Sequence, residues 1–382
     1  MANVSRFVFA TCQVGAERAL KSEVARSPLG LRAAFARPGF VTFKLPDGLA
    51  LPDGFLLDAV FARSTGWSLG PAEGADAAQR AAAAWALAAG RDVRRVHVFA
   101  RDRAAPGQHR FEPGPAAEVA AAHEAILGAC PRRHRLAPDA TDPLAHARPG
   151  ELVLDCILIE PDHWWIGWHR AGSGPACWPG GMLDLRLPPG AVSRAWLKME
   201  EALLWSALPI PPAARVAEIG SAPGGASQSL LARGWYVLGV DPAAMHPDVL
   251  AHPRFTHLRR RSTQARRRDF RKIRWLMVDM NVAPRYTLDA VEAVVTHPDV
   301  HVRGMLLTLK LIEWSLADRL PEYLARVRGW GFNIVRARQL QHNRREVCVM
   351  ALKRPFRKSA NRRRAAAPGR QPAPRQQTKP GR

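Results

Sequence analysis

Residues 218–225 read Glu-Ile-Gly-Ser-Ala-Pro-Gly-Gly, and an apolar run over 235–240 ends at Asp241. The stretch 216–219 predicts a short buried strand, 220–225 a turn carrying three glycines, and 226–232 the helix that leaves it. Glycines let the backbone approach a ligand closely, and the free N–H groups of a helix N-terminus point toward it. Residues 235–240 predict a second strand, whose terminal carboxylate, Asp241, is placed to accept hydrogen bonds from ribose hydroxyls. The spacing departs from Gly-x-Gly-x-x-Gly, so a pyrophosphate is not the expected guest. An adenosine with a short zwitterionic tail, S-adenosylmethionine, fits better.

Outward from this turn, the pattern from residue 191 alternates strand and helix, the sign of a parallel sheet. Strands are expected at 216–219, 235–240, 255–258, 273–279, 304–309, 333–339 and 346–352. Only the last pair is joined by a tight link, 341–345, and should therefore be antiparallel. The expected fold class is α/β, a Rossmann-like methyltransferase domain with a mostly parallel sheet and one antiparallel strand. A smaller α+β region precedes it, with strands at 7–11, 40–44, 93–100 and 152–159 and helices at 16–25, 75–89 and 115–127. Segments 101–115 and 170–189 are rich in Pro and Gly, and the second is the expected linker. The expected division is 1–185, 186–355 and a disordered basic tail at 356–382.

The chain carries a formal net charge of +23, which favours a polyanionic partner. Because Ala, Arg, Pro and Gly dominate its composition, the position of the charge says more than its total. Nine positive residues between 259 and 274 face one acid, Asp269, and read as a phosphate-binding run beside the ligand edge. Trp164, Trp165 and Trp168 belong either to a core strand or to a base-stacking surface, with the core favoured. Five scattered cysteines without Cys-x-x-Cys argue against a disulfide framework or zinc site. The histidines lack metal-ligand spacing, so no metal is expected. Neither a signal pattern nor a membrane-length apolar run is evident, and a cytoplasmic, membrane-free, monomeric protein is expected.

In open α/β sheets, ligands sit outside the carboxyl ends of the strands. Asp279 and Lys310 close two expected strands at that edge, and Glu346 opens the antiparallel one, which starts there. Lys198 lies on a helix expected at 193–204, just before the glycine turn. A ribose hydroxyl needs a base to become a nucleophile, whereas a sulfonium methyl is already activated. Lys310 is the expected base, with Lys198 lowering its pKa and holding the 2′-oxygen. Asp279 orients Lys310, and Glu346 fixes a lysine.

The order Lys198–Asp279–Lys310–Glu346 around the 220–225 turn resembles the FtsJ-like RNA ribose 2′-O-methyltransferases. The strings Ser-Arg-Ala-Trp-Leu-Lys-Met-Glu-Glu-Ala at 193–202, Leu-Lys-Leu at 309–311 and Gln-Leu-Gln-His-Asn-Arg-Arg-Glu-Val at 339–347 carry it further. They are similar to those of enzymes that methylate a cytidine ribose in 23S rRNA and carry a THUMP-type N-terminal RNA-binding region. The resemblance implies S-adenosylmethionine contacts at Ser193, Gly220, Ala222, Pro223, Gly224, Gly225, Asp241 and Asp279. It also implies an acidic adenine contact near 261, where this chain has Arg259-Arg260-Arg261 instead. Two other readings stay open: a small-molecule O-methyltransferase, and a non-catalytic RNA-binding protein with a decayed methyltransferase fold.

Overall fold

The computed structural model describes residues 5–114, 117–132 and 134–353; the expectation of a disordered tail at 356–382 lies outside them. Two seven-stranded sheets organise these residues. The first is built from β1 (Phe7–Thr11), α1 (Glu17–Ala25), β2 (Arg32–Arg37), β3 (Phe40–Lys44), β4 (Ser64–Ala72), α2 (Ala77–Leu87), β5 (Arg95–Ala100), α3 (Ala117–Gly128), β6 (Leu152–Glu160) and β7 (His163–Arg170). Its strand order is β2-β3-β1-β4-β7-β6-β5, antiparallel except where β5 pairs with β6.

Two of these strands, β2 and β4, escape the sequence pattern. β2 is an edge strand whose Arg-Ala-Ala-Phe-Ala-Arg stretch is largely exposed, so no apolar face marks it. β4 contains Gly66 and Gly70 and ends near Pro71, residues that ordinarily punctuate strands. Gly66 is required there: an added Cβ would lie 2.6 Å from the Trp168 carbonyl and 2.8 Å from the Phe9 ring. The tryptophans of β7 belong to the interior. Trp164 and Trp168 are buried, and Trp165 stacks on Phe35 at 4.9 Å while its Nε1 donates to Ser68 Oγ at 2.8 Å.

Segment 170–189, expected as a linker, is instead fastened to the first sheet. Ala147 N donates to the Cys177 carbonyl at 2.7 Å. His169 on β7 lies 2.6 Å by Nδ1 from Asp155 and 2.8 Å by Nε2 from the Ala176 carbonyl. A carbonyl can only accept, so Nε2 carries a proton, and the carboxylate favours a second at Nδ1. Burial opposes that charge, but Asp155 outweighs it and the His169 pKa is raised. His97, across the β5–β6 pair from Asp155, completes a buried group whose ligand atoms lie within 4.8 Å of one another. Spacings of 58 and 14 residues in the chain hid this cluster from the sequence.

The second sheet contains α4 (Ala195–Ser206), β8 (Arg215–Ile219), α5 (Gly225–Ala232), β9 (Tyr236–Val240), α6 (Pro247–Leu250), β10 (Phe255–Leu258), β11 (Trp275–Val278), α7 (Pro284–Val295), β12 (Gly304–Lys310), α8 (Leu320–Gly329), β13 (Ile334–Arg338) and β14 (Glu346–Leu352). The order is β10-β9-β8-β11-β12-β14-β13, with β14 antiparallel to both neighbours and the remaining pairs parallel. This is the α/β Rossmann-like arrangement expected from the alternating pattern. Central strands such as β11, Trp-Leu-Met-Val, are buried throughout, as a sheet covered on both faces demands. Among the described residues no helix is long and apolar enough to cross a membrane, and no disulfide is formed.

Candidate active site

The register of β12 and β14 builds the chemical centre. Lys310 is the last residue of β12 and pairs directly with Glu346, the first of β14. Lys310 Nζ lies 2.7 Å from Glu346 Oε1 and 2.9 Å from Asp279 Oδ1, Asp279 being the residue after β11. Lys198 reaches in from α4 and donates to Glu346 Oε2 at 2.6 Å. Four side chains from four elements thus form one chain of ion pairs in which Glu346 bridges both lysines. The side chains of Lys310 and Glu346 are only 15% and 11% exposed, so water screens the pairing weakly.

The electrostatics depart from the expectation for Lys310. Burial pulls its pKa down, but Asp279 and Glu346 outweigh burial and the net shift is upward. Glu346 stands between the two lysines; burial pushes its pKa up, but Lys198 and Lys310 outweigh burial and hold it below the ordinary carboxylate range. In the free protein Lys310 is therefore an ammonium.

The glycine turn sits beside this centre. Gly220 has φ +84°, and a Cβ there would lie 2.3 Å from the Asp279 carbonyl oxygen. Gly224 has φ +121°, with Val249 2.7 Å from its virtual Cβ, and a Cβ on Gly225 would lie 2.2 Å from Ser193 Oγ. α5 starts at Gly225 with no side-chain cap, leaving its first N–H groups available to a ligand carboxylate. Asp241 follows β9 and accepts from Ala222 N at 3.2 Å and Ala243 N at 2.8 Å, one backbone donor per oxygen. Each oxygen keeps a lone pair for a ribose hydroxyl. The turn thus brings Gly220 against Asp279, Gly225 against Ser193 and Ala222 against Asp241, which groups the residues expected to hold S-adenosylmethionine around the 220–225 turn.

At this edge one expectation stands and one changes. Arg259, Arg260 and Arg261 are exposed at the carboxyl end of β10, and Arg261 N donates to Gln264 Oε1 at 3.3 Å, so no acid takes the adenine-contact position. The basic run as a whole does not lie beside the ligand edge. Because β10 and β11 are parallel members of one sheet, the segment between them must descend, and Arg271, Lys272 and Arg274 arrive at the opposite edge.

The structure also adds residues that sequence reasoning missed. Glu218, next to last on β8, is 2% exposed and accepts from the Ser227 hydroxyl. Burial chiefly, with Asp279 and Asp241 nearby, pushes its pKa up to about 8. Asn343 donates from Nδ2 to Glu346 Oε2 at 3.1 Å, and buried Glu201 on α4 accepts from the Gln341 and His342 amides at 2.7 and 3.1 Å. Both contacts fix the 339–346 link. The string Gln-Leu-Gln-His-Asn-Arg-Arg-Glu was visible, but its roles depend on how the link folds back on α4.

With this geometry in view, comparison with known proteins is decisive for the second sheet. Residues 191–328 match the FtsJ-like methyltransferase family. The match runs from just before α4 into α8 and stops short of β13 and β14. The chain is also 31% identical over 209 residues to ribosomal RNA large subunit methyltransferase M of Xylella fastidiosa (strain M12), covering 52% of this chain and 57% of the relative. It is 32% identical over 215 residues to the protein of the same name from Xanthomonas oryzae pv. oryzae (strain PXO99A), covering 54% and 60%. The alignments therefore span less than two thirds of these relatives. A putative hemolysin from Lactococcus lactis is similar at 19% identity with a TM-score of 0.37, covering 44% of this chain and 90% of the hemolysin. The matched residues contain Lys198, the glycine turn, Asp241, Asp279 and Lys310; Glu346 follows them.

Proposed function

We propose that this protein transfers a methyl group from S-adenosylmethionine to a ribose 2′-hydroxyl of ribosomal RNA. The observation that carries the reading is the Lys198–Glu346–Lys310–Asp279 chain of ion pairs beside the glycine turn. The finer reading follows the two relatives named for the large ribosomal subunit: a cytidine of 23S rRNA as acceptor, gripped by a THUMP-type first domain over 1–185. Residues 186–355 form the catalytic domain, and the protein works as a cytoplasmic monomer.

S-adenosylmethionine supplies an already activated methyl group when bound, so the chain itself needs to orient the acceptor and accept its proton. The uncapped start of α5 suits the carboxylate of the tail, the turn glycines admit its backbone-close approach, and Asp241 suits the ribose. Lys310, once neutral, takes the 2′-hydroxyl proton on Nζ. Asp279 and Glu346, at 2.9 and 2.7 Å, then stabilise the ammonium that forms. Lys198 lies across Glu346 and holds the 2′-oxygen by its charge. Neutral Lys310 is scarce but strongly basic, which suits abstraction from a hydroxyl.

The test is transfer of labelled methyl to 23S rRNA, and to the same RNA with a 2′-deoxy target. Transfer lost with the deoxy sugar supports ribose methylation. Lys310→Ala should lower turnover by about 10²–10⁴-fold while the protein stays folded. Near-normal turnover in that variant would refute the assignment of the base. Binding of RNA and cofactor without transfer to any RNA would instead support the decayed-enzyme reading.

A further inference from the structure

We infer that Arg194 and Arg344 form a two-armed clamp for a phosphodiester of the RNA, an inference that rests on the ribosomal RNA reading above. The two arginines come from separate elements of the FtsJ-like side. Arg194 precedes α4, one helical turn before Lys198, and Arg344 lies two residues before Glu346. They converge on Gly107, in a loop that follows β5 of the first sheet. A Cβ on Gly107 would lie 2.5 Å from Arg194 Nη1 and 2.5 Å from Arg344 Nη2, so both nitrogens surround one point.

The loop holds both guanidinium groups in place. Arg344 Nε donates to the Pro106 carbonyl at 2.7 Å, and Arg194 Nη2 to Glu112 Oε2 at 2.6 Å. Gly107 N donates to the Phe111 carbonyl at 2.6 Å, closing the loop, and Gln341 Nε2 donates to the Pro113 carbonyl at 3.2 Å. Gly107 has φ +75°, where a side chain would be strained as well as blocked by the arginines.

Charge then decides what this arrangement takes. Two guanidinium groups around one point repel, and the nearby carboxylate, Glu112, is 44% exposed and engages Arg194 at 2.6 Å and the His342 ring at 3.9 Å. Arg194 Nε is buried without a partner, and Arg344 is exposed. Buried His342 adds no negative charge; burial, with Arg194 as the largest charged contributor, drives its pKa down to about 4. A group that offers several oxygens and a negative charge relieves the repulsion, and paired planar forks match a phosphate. Lying one helical turn from Lys198 and two residues from Glu346, the clamp would anchor the backbone beside the acceptor ribose. The first sheet's loop would then hold the clamp in register with the tetrad.

Salt dependence of RNA binding tests this without requiring turnover. A 23S rRNA transcript is titrated with the full chain at several salt concentrations, using wild type, Arg194→Ala, Arg344→Ala and the double variant. Each single variant should weaken binding about tenfold and reduce the slope of log K against log salt by about one. Since both arms share one phosphate, the double variant should lose no more slope than either single one. Gly107→Ala, which keeps both charges but splays them, should weaken binding similarly. S-adenosylmethionine binding should stay at the wild-type value throughout, thermal melting should do so in the arginine variants but fall in Gly107→Ala, and Arg344→Ala, at an exposed position, keeps the test open if Arg194→Ala misfolds. Unchanged slopes, strictly additive losses or a wild type that binds no RNA would each overturn the clamp. Wild-type binding without methyl transfer would sink the ribose-methylation reading alone, leaving the slopes to judge the clamp.

Discussion

Replacing Glu218 with Gln should make the protein more stable, and increasingly so as pH rises. The side chain is 2% exposed at the end of β8, its pKa pushed from 4.5 to about 8 chiefly by burial. Between those two values the folded protein holds a proton that the unfolded chain releases. Stability is therefore lost as pH rises through that window. With these two pKa values, the cost relative to a neutral side chain is about 1 kcal/mol at pH 5, about 3 at pH 7 and about 4 at pH 8. Glutamine has nearly the same shape, can accept from the Ser227 hydroxyl, and never ionises. Urea unfolding of wild type and Glu218→Gln at pH 5, 7 and 8 measures the difference, and the titrations of all other groups cancel in it. Near-equal stability at pH 5 opening to several kcal/mol at pH 8 is expected. A difference that stays constant across the series would mean that Glu218 is ionised in the fold, and the reasoning from burial would fail.

Other predictions concern the reaction and the turn. Because Asp279 and Glu346 raise the Lys310 pKa above its ordinary 10.5, the neutral base becomes more abundant as pH rises. The logarithm of kcat should climb with a slope near one through pH 10, as single-turnover methyl transfer would record; a plateau near neutrality would refute Lys310 as the titrating base. Gly220→Ala places a Cβ 2.3 Å from the Asp279 carbonyl at φ +84° and should cost about 1–3 kcal/mol or more. Calorimetric binding of S-adenosylmethionine should also weaken, and an unchanged melting temperature would contradict the clash.

Legibility in the sequence followed the distance over which each feature is decided. The glycine turn and the strand leading to Asp241 are local, so the 218–225 string revealed the first and the apolar run over 235–240 the second. The strands of the second sheet showed as apolar runs because helices cover both faces. β2 and β4 did not, since one is an exposed edge and the other carries glycines needed for close approach by Trp168 and Phe9. The segment 170–189 read as a linker from its Pro and Gly content, whereas the carbonyl of Ala176 binds it to His169. Composition records chain flexibility, not the partner that removes it.

What the sequence determined by itself was the set of ionisable residues and the edge of the sheet on which they would meet. The spacing of strands places Asp279, Lys310 and Glu346 at the carboxyl ends, whatever the side chains then do. Only the tertiary structure decided their charge. Glu346 falls between Lys198 and Lys310 because β14 pairs with β12 in one register, and that turns an expected lysine–lysine repulsion into a bridged pair. The same holds for Glu218, whose proton depends on burial, and for Arg194 and Arg344, which meet only because Gly107 arrives from the other sheet. Protonation and charge pairing respond to distances of a few ångströms, which chain order does not encode.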